Sequence, residues 1–357
     1  MTEPPKGTWA TVVPGTVTVI VTVLKDPRVA RTLESLLAQT RIPDEILVDD
    51  GGGDDRVARI TEEFARRDPR IRHLDAPGNI PESRNVALQA ARGEFVAFLD
   101  ADEIARPAWL AQLLVPFADP TVGFTGGPTP ALEGTAHSVG ARYYDGYLRR
   151  FYETVARERP HALPMGNSAW RAAVFRATGL LDTTLYRRAA SEDQEIAVRA
   201  MEAGFRGIYV PEAAVDHDFS DITTWGLLKK QRVYAEGGFV VWRRRHTTYE
   251  ASVGRILPYV LLPGLAVVGA ILLAPPVTRI VGAVMILAAA LGLAGLALVL
   301  TWTGLRDDRR YPGLRFRALE IPRRWATIYG AFRGFLAFGW SGRRAPRSPS
   351  SRSGGNP

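Results

Sequence analysis

The sequence predicts an α/β fold with a mostly parallel sheet, joined to a C-terminal two-helix transmembrane hairpin. Three observations predict it. Short β-branched or apolar runs alternate with amphipathic stretches from about residue 17 onward, which is the rhythm of βαβ units. Acids stand directly behind two of those runs, at Asp49/Asp50 and Asp100/Asp102, where an open parallel sheet binds its ligands. Two charge-free stretches of 19 and 26 residues, 256–274 and 280–305, can each cross a hydrocarbon layer of about 30 Å as helices.

Residues 1–16 are polar and Pro-rich and read as a disordered lead. The apolar run 17–24 is too short for a signal core with a cleavage site, so the start of the chain is expected in the cytosol. The β-branched run 16–24 reads as a buried strand, broken at Asp26-Pro27. Val29, Leu33, Leu36 and Leu37 then share one face of a helix ending near Gln39. A second strand, 45–48, closes in Asp49-Asp50-Gly51-Gly52-Gly53-Asp54-Asp55. The glycines permit a sharp turn or close approach to a ligand, and Asp54 can cap a helix over about 55–66. A short strand at 71–74, a loop at 77–81, a helix at 82–91 and a strand at 94–99 follow.

That last strand runs into Asp100 and Asp102. Side chains two apart on a strand leave the same face, so the two carboxylates repel unless a cation lies between them. A hard divalent ion would serve, and would also neutralise a bound diphosphate. The bland alternative is a solvated loop opening the next helix at Arg106-Pro107-Ala108-Trp109. The convergence of Leu24, Asp49/Asp50 and Asp100/Asp102 on one sheet edge favours the shared site.

Further on, 122–127 reads as a strand and turn, and 138–156 as an aromatic-rich packing helix. Ser191 and Gln194 have the spacing of a capping box. Glu192 and Asp193 fall in the first turn behind it, where the positive helix end favours ionised carboxylates. Residues 205–211 form another strand, followed by Asp216-His217-Asp218. A His between acids is either hydrogen-bonded structure or a ligand.

The charge is uneven. From Gly304 onward there are 12 Arg and 3 acids, a surplus of 9 that exceeds the whole chain's +8 and leaves the first 303 residues at −1. A nucleic-acid-binding body would carry its own basic face. A basic tail beside apolar segments suits anionic lipid head groups. With no Cys, disulfides, thiolate zinc sites and thiol catalysis are excluded. Arg243-Arg244-Arg245 before the first apolar stretch, and Arg306, Arg309 and Arg310 after the second, place both ends in the cytosol. Ala288, Gly292 and Gly295 offer close helix contact, and a homo-oligomer stays open. Within the basic segment 306–340, the aromatic stretch 325–340 reads as an interfacial helix, and 341–357 as a disordered tail.

Taken together, the strand-end residues resemble the family 2 glycosyltransferases of the GT-A fold. The family's first strand and helix are matched over 19–40, through Ser35-Leu36-Leu37-Ala38-Gln39-Thr40. Its VDDGS-x-D turn is matched by Val48-Asp49-Asp50-Gly51-Gly52-Gly53-Asp54, with Gly52 where Ser is usual. Its signature ending in FLDAD is matched by Gly78, Ser83-Arg84-Asn85, Gly93-Glu94 and 98–102. Met165-Gly166-Asn167-Ser168-Ala169 resembles its GNxA strand, and Glu192-Asp193 falls at its ED pair. The likeness covers about residues 17–242. It implies inverting transfer from a nucleotide-diphosphate sugar, with Asp193 as general base beside Glu192. It places Leu24, Asp49, Asp50, Arg84, Asp100 and Arg232 around the donor nucleotide. Asp100, Asp102 and His217 would hold Mn2+ or Mg2+. Gln231-Arg232-Val233-Tyr234 stands where processive members carry Gln-x-x-Arg-Trp, and lacks the second Arg and the Trp. The anchor implies an acceptor at the bilayer, either a lipid-linked saccharide hydroxyl or a polyprenyl phosphate. A processive synthase and a non-catalytic scaffold remain the alternatives.

Overall fold

The structure, a computed structural model, describes residues 9–183, 191–245, 253–307 and 318–338. It comprises two compact units. The first holds the described residues up to 136 together with 147–221, and the second holds 137–146 and the described residues from 222 onward.

Through the first 221 residues the elements run β1 (Val13–Val23), α1 (Val29–Leu37), β2 (Glu45–Asp50), α2 (Asp55–Arg67), β3 (Ile71–Asp75), α3 (Ile80–Ala90), β4 (Gly93–Asp100), β5 (Glu103–Ala105), α4 (Trp109–Leu114), β6 (Val122–Gly126), α5 (Val139–Phe151), β7 (Ser168–Arg171), α6 (Ala172–Thr178), α7 (Glu192–Glu202), β8 (Arg206–Tyr209) and β9 (Val215–His217). Seven strands form one sheet in the order β3-β2-β1-β4-β7-β6-β8. Its neighbours are parallel except where β7 runs antiparallel to β4 and β6. The central strands are apolar on both faces because both are covered. Val19, Val21, Ile46 and Val48 pack with Leu33, Leu36, Val57 and Phe64 on one side. Ile20, Leu47 and Phe98 pack with Ala87, Leu88, Phe175 and Ile196 on the other. The mostly parallel α/β architecture is as the sequence predicts.

Four local expectations are corrected. The lead is ordered from Trp9, and β1 begins at Val13, because Ala10 and Val13 donate to the carbonyls of Gln89 and Arg92 and Val13 pairs with Gly93. Helix α3 starts at Ile80 rather than Glu82, since Asn79 and Glu82 make a reciprocal capping box with Pro81 in the first turn. The capping box at Ser191 does not form. That residue sits in the left-handed region at φ 66°, and its side chain makes no cap hydrogen bond. Finally, β4 ends at Asp100 and Asp102 lies in the turn beyond it, so the same-face argument for this pair fails. The turn is closed instead by the Asp100 amide donating to Glu103 Oε2 at 3.0 Å. Residues 1–8 and the tail from 339 lie outside the described residues.

The second unit contains α8 (Thr224–Arg245), α9 (Val253–Leu272), α10 (Arg279–Asp307) and α11 (Glu320–Phe338). Helices α9 and α10 meet backbone to backbone. A methyl built at Gly269 would lie 2.8 Å from the Gly282 carbonyl oxygen, and one at Gly282 would lie 2.5 Å from that of Gly269. Ala289 is buried and Gly292 receives the Leu262 side chain. Among the described residues one helical stretch, Pro276–Leu296, is long and apolar enough to cross a membrane, with mean hydropathy 2.1. The apolar part of α9, Leu261–Leu272, is shorter than a span. The predicted hairpin is thus present as a packed helix pair, with one candidate span among the described residues.

The tightest backbone approach in the first unit is at Gly127, where a methyl would lie 1.8 Å from the Ala213 carbonyl oxygen. Backbone on both sides cannot yield cheaply. Gly127→Ala should cost about 1–3 kcal/mol, read as a fall in urea midpoint at unchanged slope.

Candidate active site

Arg84 is the hub of the acidic edge. The cap at Asn79 fixes where α3 begins, and that register turns Ser83, Arg84, Ala87 and Leu88 inward. Arg84 is 3% exposed. Its guanidinium donates to Thr22 Oγ1 at 3.0 Å, Glu192 Oε1 at 3.0 Å and Asp100 Oδ1 at 2.7 Å. One buried cation therefore ties β1, β4 and α7 together. Burial opposes its charge, and Asp100 and Glu192 more than offset that.

Glu192 is buried, and burial followed by the neighbouring Asp193 raises its carboxyl to about 7, against the pull of Arg84. Asp193 is half-buried; burial raises it too, opposed by the Gln194 amide, which donates to its Oδ1 at 2.7 Å. Arg84 links Asp100 and Glu192 directly, and Asp193 adjoins Glu192 in the first turn of α7.

A second cluster adjoins it. His217 Nε2 lies 3.1 Å from Asp102 Oδ2, and its Nδ1 lies 3.6 Å from Glu103 Oε1. The pairing of β5 with β9 sets Glu103 directly across from His217. Glu103 is 2% exposed, and burial followed by the charges of Asp100 and Asp102 raises its carboxyl well above the usual range. Sequence reasoning missed this residue. The only signal was a third acid directly behind Asp102, and one-residue spacing gave no hint that it turns inward. Arg28, equally unforeseen, approaches Asp102 at 3.8 Å, Asp218 at 3.7 Å and Asp221 at 2.7 Å. Gly166 closes the floor: a methyl there would lie 2.6 Å from Asp100 Oδ2 and 2.9 Å from Glu103 Oε2.

The remaining predicted residues are placed differently. Asp49 is fully buried; Ser83 donates to its Oδ2 at 3.0 Å, while its Oδ1 has no partner. Burial pushes its carboxyl up to about 8, partly offset by Arg84. Asp50 spends both oxygens on the glycine turn, accepting from the amides of Gly52 and Gly53 at 3.0 Å and of Asp54 at 3.3 Å. Gly52, which replaces the usual Ser, packs against Lys25: a methyl there would lie 2.6 Å from Lys25 Cγ. Leu24 is 53% exposed at the end of β1. Arg232 belongs to α8 in the second unit, where it faces Glu236 at 3.5 Å.

Among the described residues no three His or acidic side chains stand close enough together, as placed, to hold a metal ion. Asp102 and His217 are in contact, but Asp100 has given one oxygen to Arg84. The donor chemistry of the set, carboxylate oxygen with imidazole, is that of sites for Mn2+ and similar ions.

Acids from β2, β4 and the first turn of α7 lie at the carboxyl edge of an open α/β sheet, where such sheets bind their ligands. Residues 14–234 match the family described as glycosyltransferase like family 2, and the chain belongs to it. The pre-mycofactocin glycosyltransferase of Mycobacterium tuberculosis is 32% identical over 214 residues, covering 57% of this chain and 42% of that protein. The glucosyl-dolichyl phosphate glucuronosyltransferase of Haloferax volcanii is 26% identical over 210 residues, 55% of this chain and 66% of that protein. The matched segment thus spans less than half of the mycobacterial relative. A mannosyltransferase from Pyrobaculum calidifontis, solved with GDP-mannose and Mn2+, shares the fold at TM-score 0.57 and 18% identity, covering 92% of this chain and 90% of that one. The GT-A architecture and the family membership stand on these grounds.

The raised carboxyl of Asp49 has a signed consequence. Its folded value, about 8, lies above the unfolded 3.8, so the native state holds a proton that the unfolded chain has released. Its contribution to stability is complete below pH 4, declines through the interval up to pH 8 and is flat above. In Asp49→Asn that decline should vanish, which parallel urea titrations at pH 5 and pH 8.5 would read as a smaller stability difference than in the parent.

Proposed function

We propose that this chain is a membrane-anchored, inverting glycosyltransferase. It moves a sugar from a nucleotide-diphosphate donor to a lipid-linked acceptor. The observation that carries the reading is the gathering of Asp100, Glu192 and Asp193 around the Arg84 guanidinium, beside Asp102 and His217.

The donor lies along the carboxyl edge of β1, β2 and β4, with Leu24, Asp49 and Asp50 near its base and ribose. Asp50 acts there by shaping the glycine turn rather than by direct contact. Arg84 holds Asp100 and Glu192 in place as a positioning residue. Mn2+ or Mg2+ suits this donor set, with Asp102 and His217 as its holders and Asp100 two residues upstream; when bound it neutralises charge on the leaving diphosphate. The mannosyltransferase of similar fold, solved with Mn2+, is in keeping with this. Asp193 sits at the N-terminus of α7 and accepts a proton from the incoming hydroxyl. Attack opposite the leaving group inverts the anomeric carbon.

The hairpin of α9 and α10, which contains the stretch Pro276–Leu296, supplies the anchor and returns the chain to the side it left. The arginines on either side of the apolar helices favour a catalytic domain facing the cytosol at the cytoplasmic membrane. A saccharide hydroxyl is the favoured acceptor, because an acid pair capable of base catalysis is present. A polyprenyl phosphate is already ionised and requires no base. The dolichyl-phosphate-linked substrate in the Haloferax relative's name is in keeping with a lipid carrier.

Thermal shift against a panel of UDP-, GDP- and dTDP-sugars with Mn2+ should identify the donor, and EDTA should abolish transfer until Mn2+ or Mg2+ is restored. Protein that transfers fully in EDTA would overturn the metal assignment. With the donor known, Asp193→Asn should lower kcat by about 10²–10⁴ for a hydroxyl acceptor. A loss well below tenfold would overturn the base assignment and favour the phosphate.

A further inference from the structure

Helix α11 is apolar on two faces for two different reasons. One face is seated on α8. A methyl at Gly330 would lie 2.1 Å from the Arg232 carbonyl oxygen, and one at Gly334 would lie 2.9 Å from that of Glu236. Only glycine admits so close a seam. Arg333 pairs with Glu236 at 3.2 Å, Phe335 packs edge-on to Phe239 with ring centroids 6.2 Å apart, and the buried Arg323 contacts Gln231 at 3.4 Å. These contacts fix the rotation of α11 about its axis.

The rotation so fixed turns a second row outward. Ile321, Trp325, Tyr329, Phe332 and Leu336, at spacings of four, four, three and four, occupy one helical stripe. They are 39, 41, 53, 54 and 63% exposed. Five large apolar side chains aligned in water cost free energy unless something covers them. The stripe's composition is that of a membrane interface, with Trp and Tyr among aliphatic and Phe side chains. The sequence flanking it is basic: residues from Gly304 onward carry 12 Arg against 3 acids, and Glu320 is already spent on Arg323 and Arg324 at 2.8 and 2.7 Å. The same unit carries the one candidate span among the described residues.

We infer that α11 lies along an anionic lipid surface, with the 321/325/329/332/336 stripe in the head-group and upper acyl region and α8 as its rigid backing. The occupant is the bilayer. Basic flanks draw the helix to anionic lipid, and the aromatic stripe supplies the apolar contact. The glycine seam against α8 makes this a pre-oriented surface rather than a helix that must fold on binding. The inference rests on the membrane-associated reading above.

The chain has no Cys, so single labels report without background. Phe332→Cys and Leu336→Cys on α11, Leu287→Cys on α10 and Met201→Cys on α7 would each take a nitroxide. The full chain would be placed in nanodiscs of phosphatidylglycerol and phosphatidylcholine. Power saturation compares access of oxygen, which concentrates in lipid, with access of a water-soluble nickel chelate. Labels at 332 and 336 should favour oxygen, as at 287, while 201 favours nickel. Nickel access at 332 and 336 with oxygen access at 287 would overturn this inference and leave the anchor standing. Nickel access at all four would overturn both. Shielding from both agents at 332, with dipolar broadening in discs holding two copies, would assign the stripe to a second chain and overturn the lipid assignment. Lowering phosphatidylglycerol to zero should reduce the oxygen preference at 332 severalfold and leave 287 unchanged.

Discussion

The catalytic edge depends on one guanidinium. Three carboxylates from β4 and the first turn of α7 lie close together in a largely desolvated corner, and mutual repulsion would scatter or protonate them. Arg84 resolves this by accepting burial itself. It bonds to Thr22, Asp100 and Glu192, one contact for each of three elements that the chain connects only distantly. Breaking such a buried pair by removing one partner is far more costly than never having made it. Arg84 therefore serves first as the fastener of the site, and the Asn79 cap that sets the register of α3 is part of the same device.

Arg84 does not balance the charge completely. Asp102, Glu103 and Asp218 remain, with His217 and Arg28 as their neighbours. Glu103 is forced toward its neutral form because it is buried beside two other acids. The Arg28 guanidinium is held strongly charged by its bond to Asp26 and by Asp102 and Asp221, against partial burial. Asp218 is the better balanced acid, with Arg31 donating to its Oδ2 at 3.2 Å and Arg28 lying 3.7 Å from its Oδ1, so the crowding falls on Asp100, Asp102 and Glu103. On the proposed function a divalent cation would relieve that crowding.

Much of this was legible in the sequence. Unbroken β-branched runs such as 17–23 announced strands buried on both faces, and βα spacing announced their parallel order. Acids directly after those runs had to fall at the carboxyl edge. What stayed hidden depended on geometry finer than periodicity. Asp102 leaves the strand because Glu103 reaches back to the Asp100 amide, a contact that no period of two or 3.6 encodes. Asp50 holds its own glycine turn by accepting three backbone amides, a role that the run of acids and glycines did not single out. Ser191 looked like a cap and instead adopts a left-handed backbone, leaving the Gln194 amide to Asp193. In each case a short polar side chain had several local partners within reach, and the packed sheet selected among them.

Charge is partitioned along the chain in a way that suits two different surfaces. The first 303 residues are almost neutral in sum yet concentrate acids at the sheet edge, while the C-terminal stretch carries nearly all the surplus arginine. An acidic edge alone would repel a diphosphate, and an anionic bilayer would repel it again within a Debye length of about 8 Å. On the proposed function a divalent ion would relieve the first repulsion and the arginines beyond residue 304 the second. Of the chain's 45 Lys and Arg, 33 lie before residue 304 against 34 acids, and the 12 Arg against 3 acids beyond it make the surplus, so the acidic corner and the basic stretch are built from separate parts of the chain.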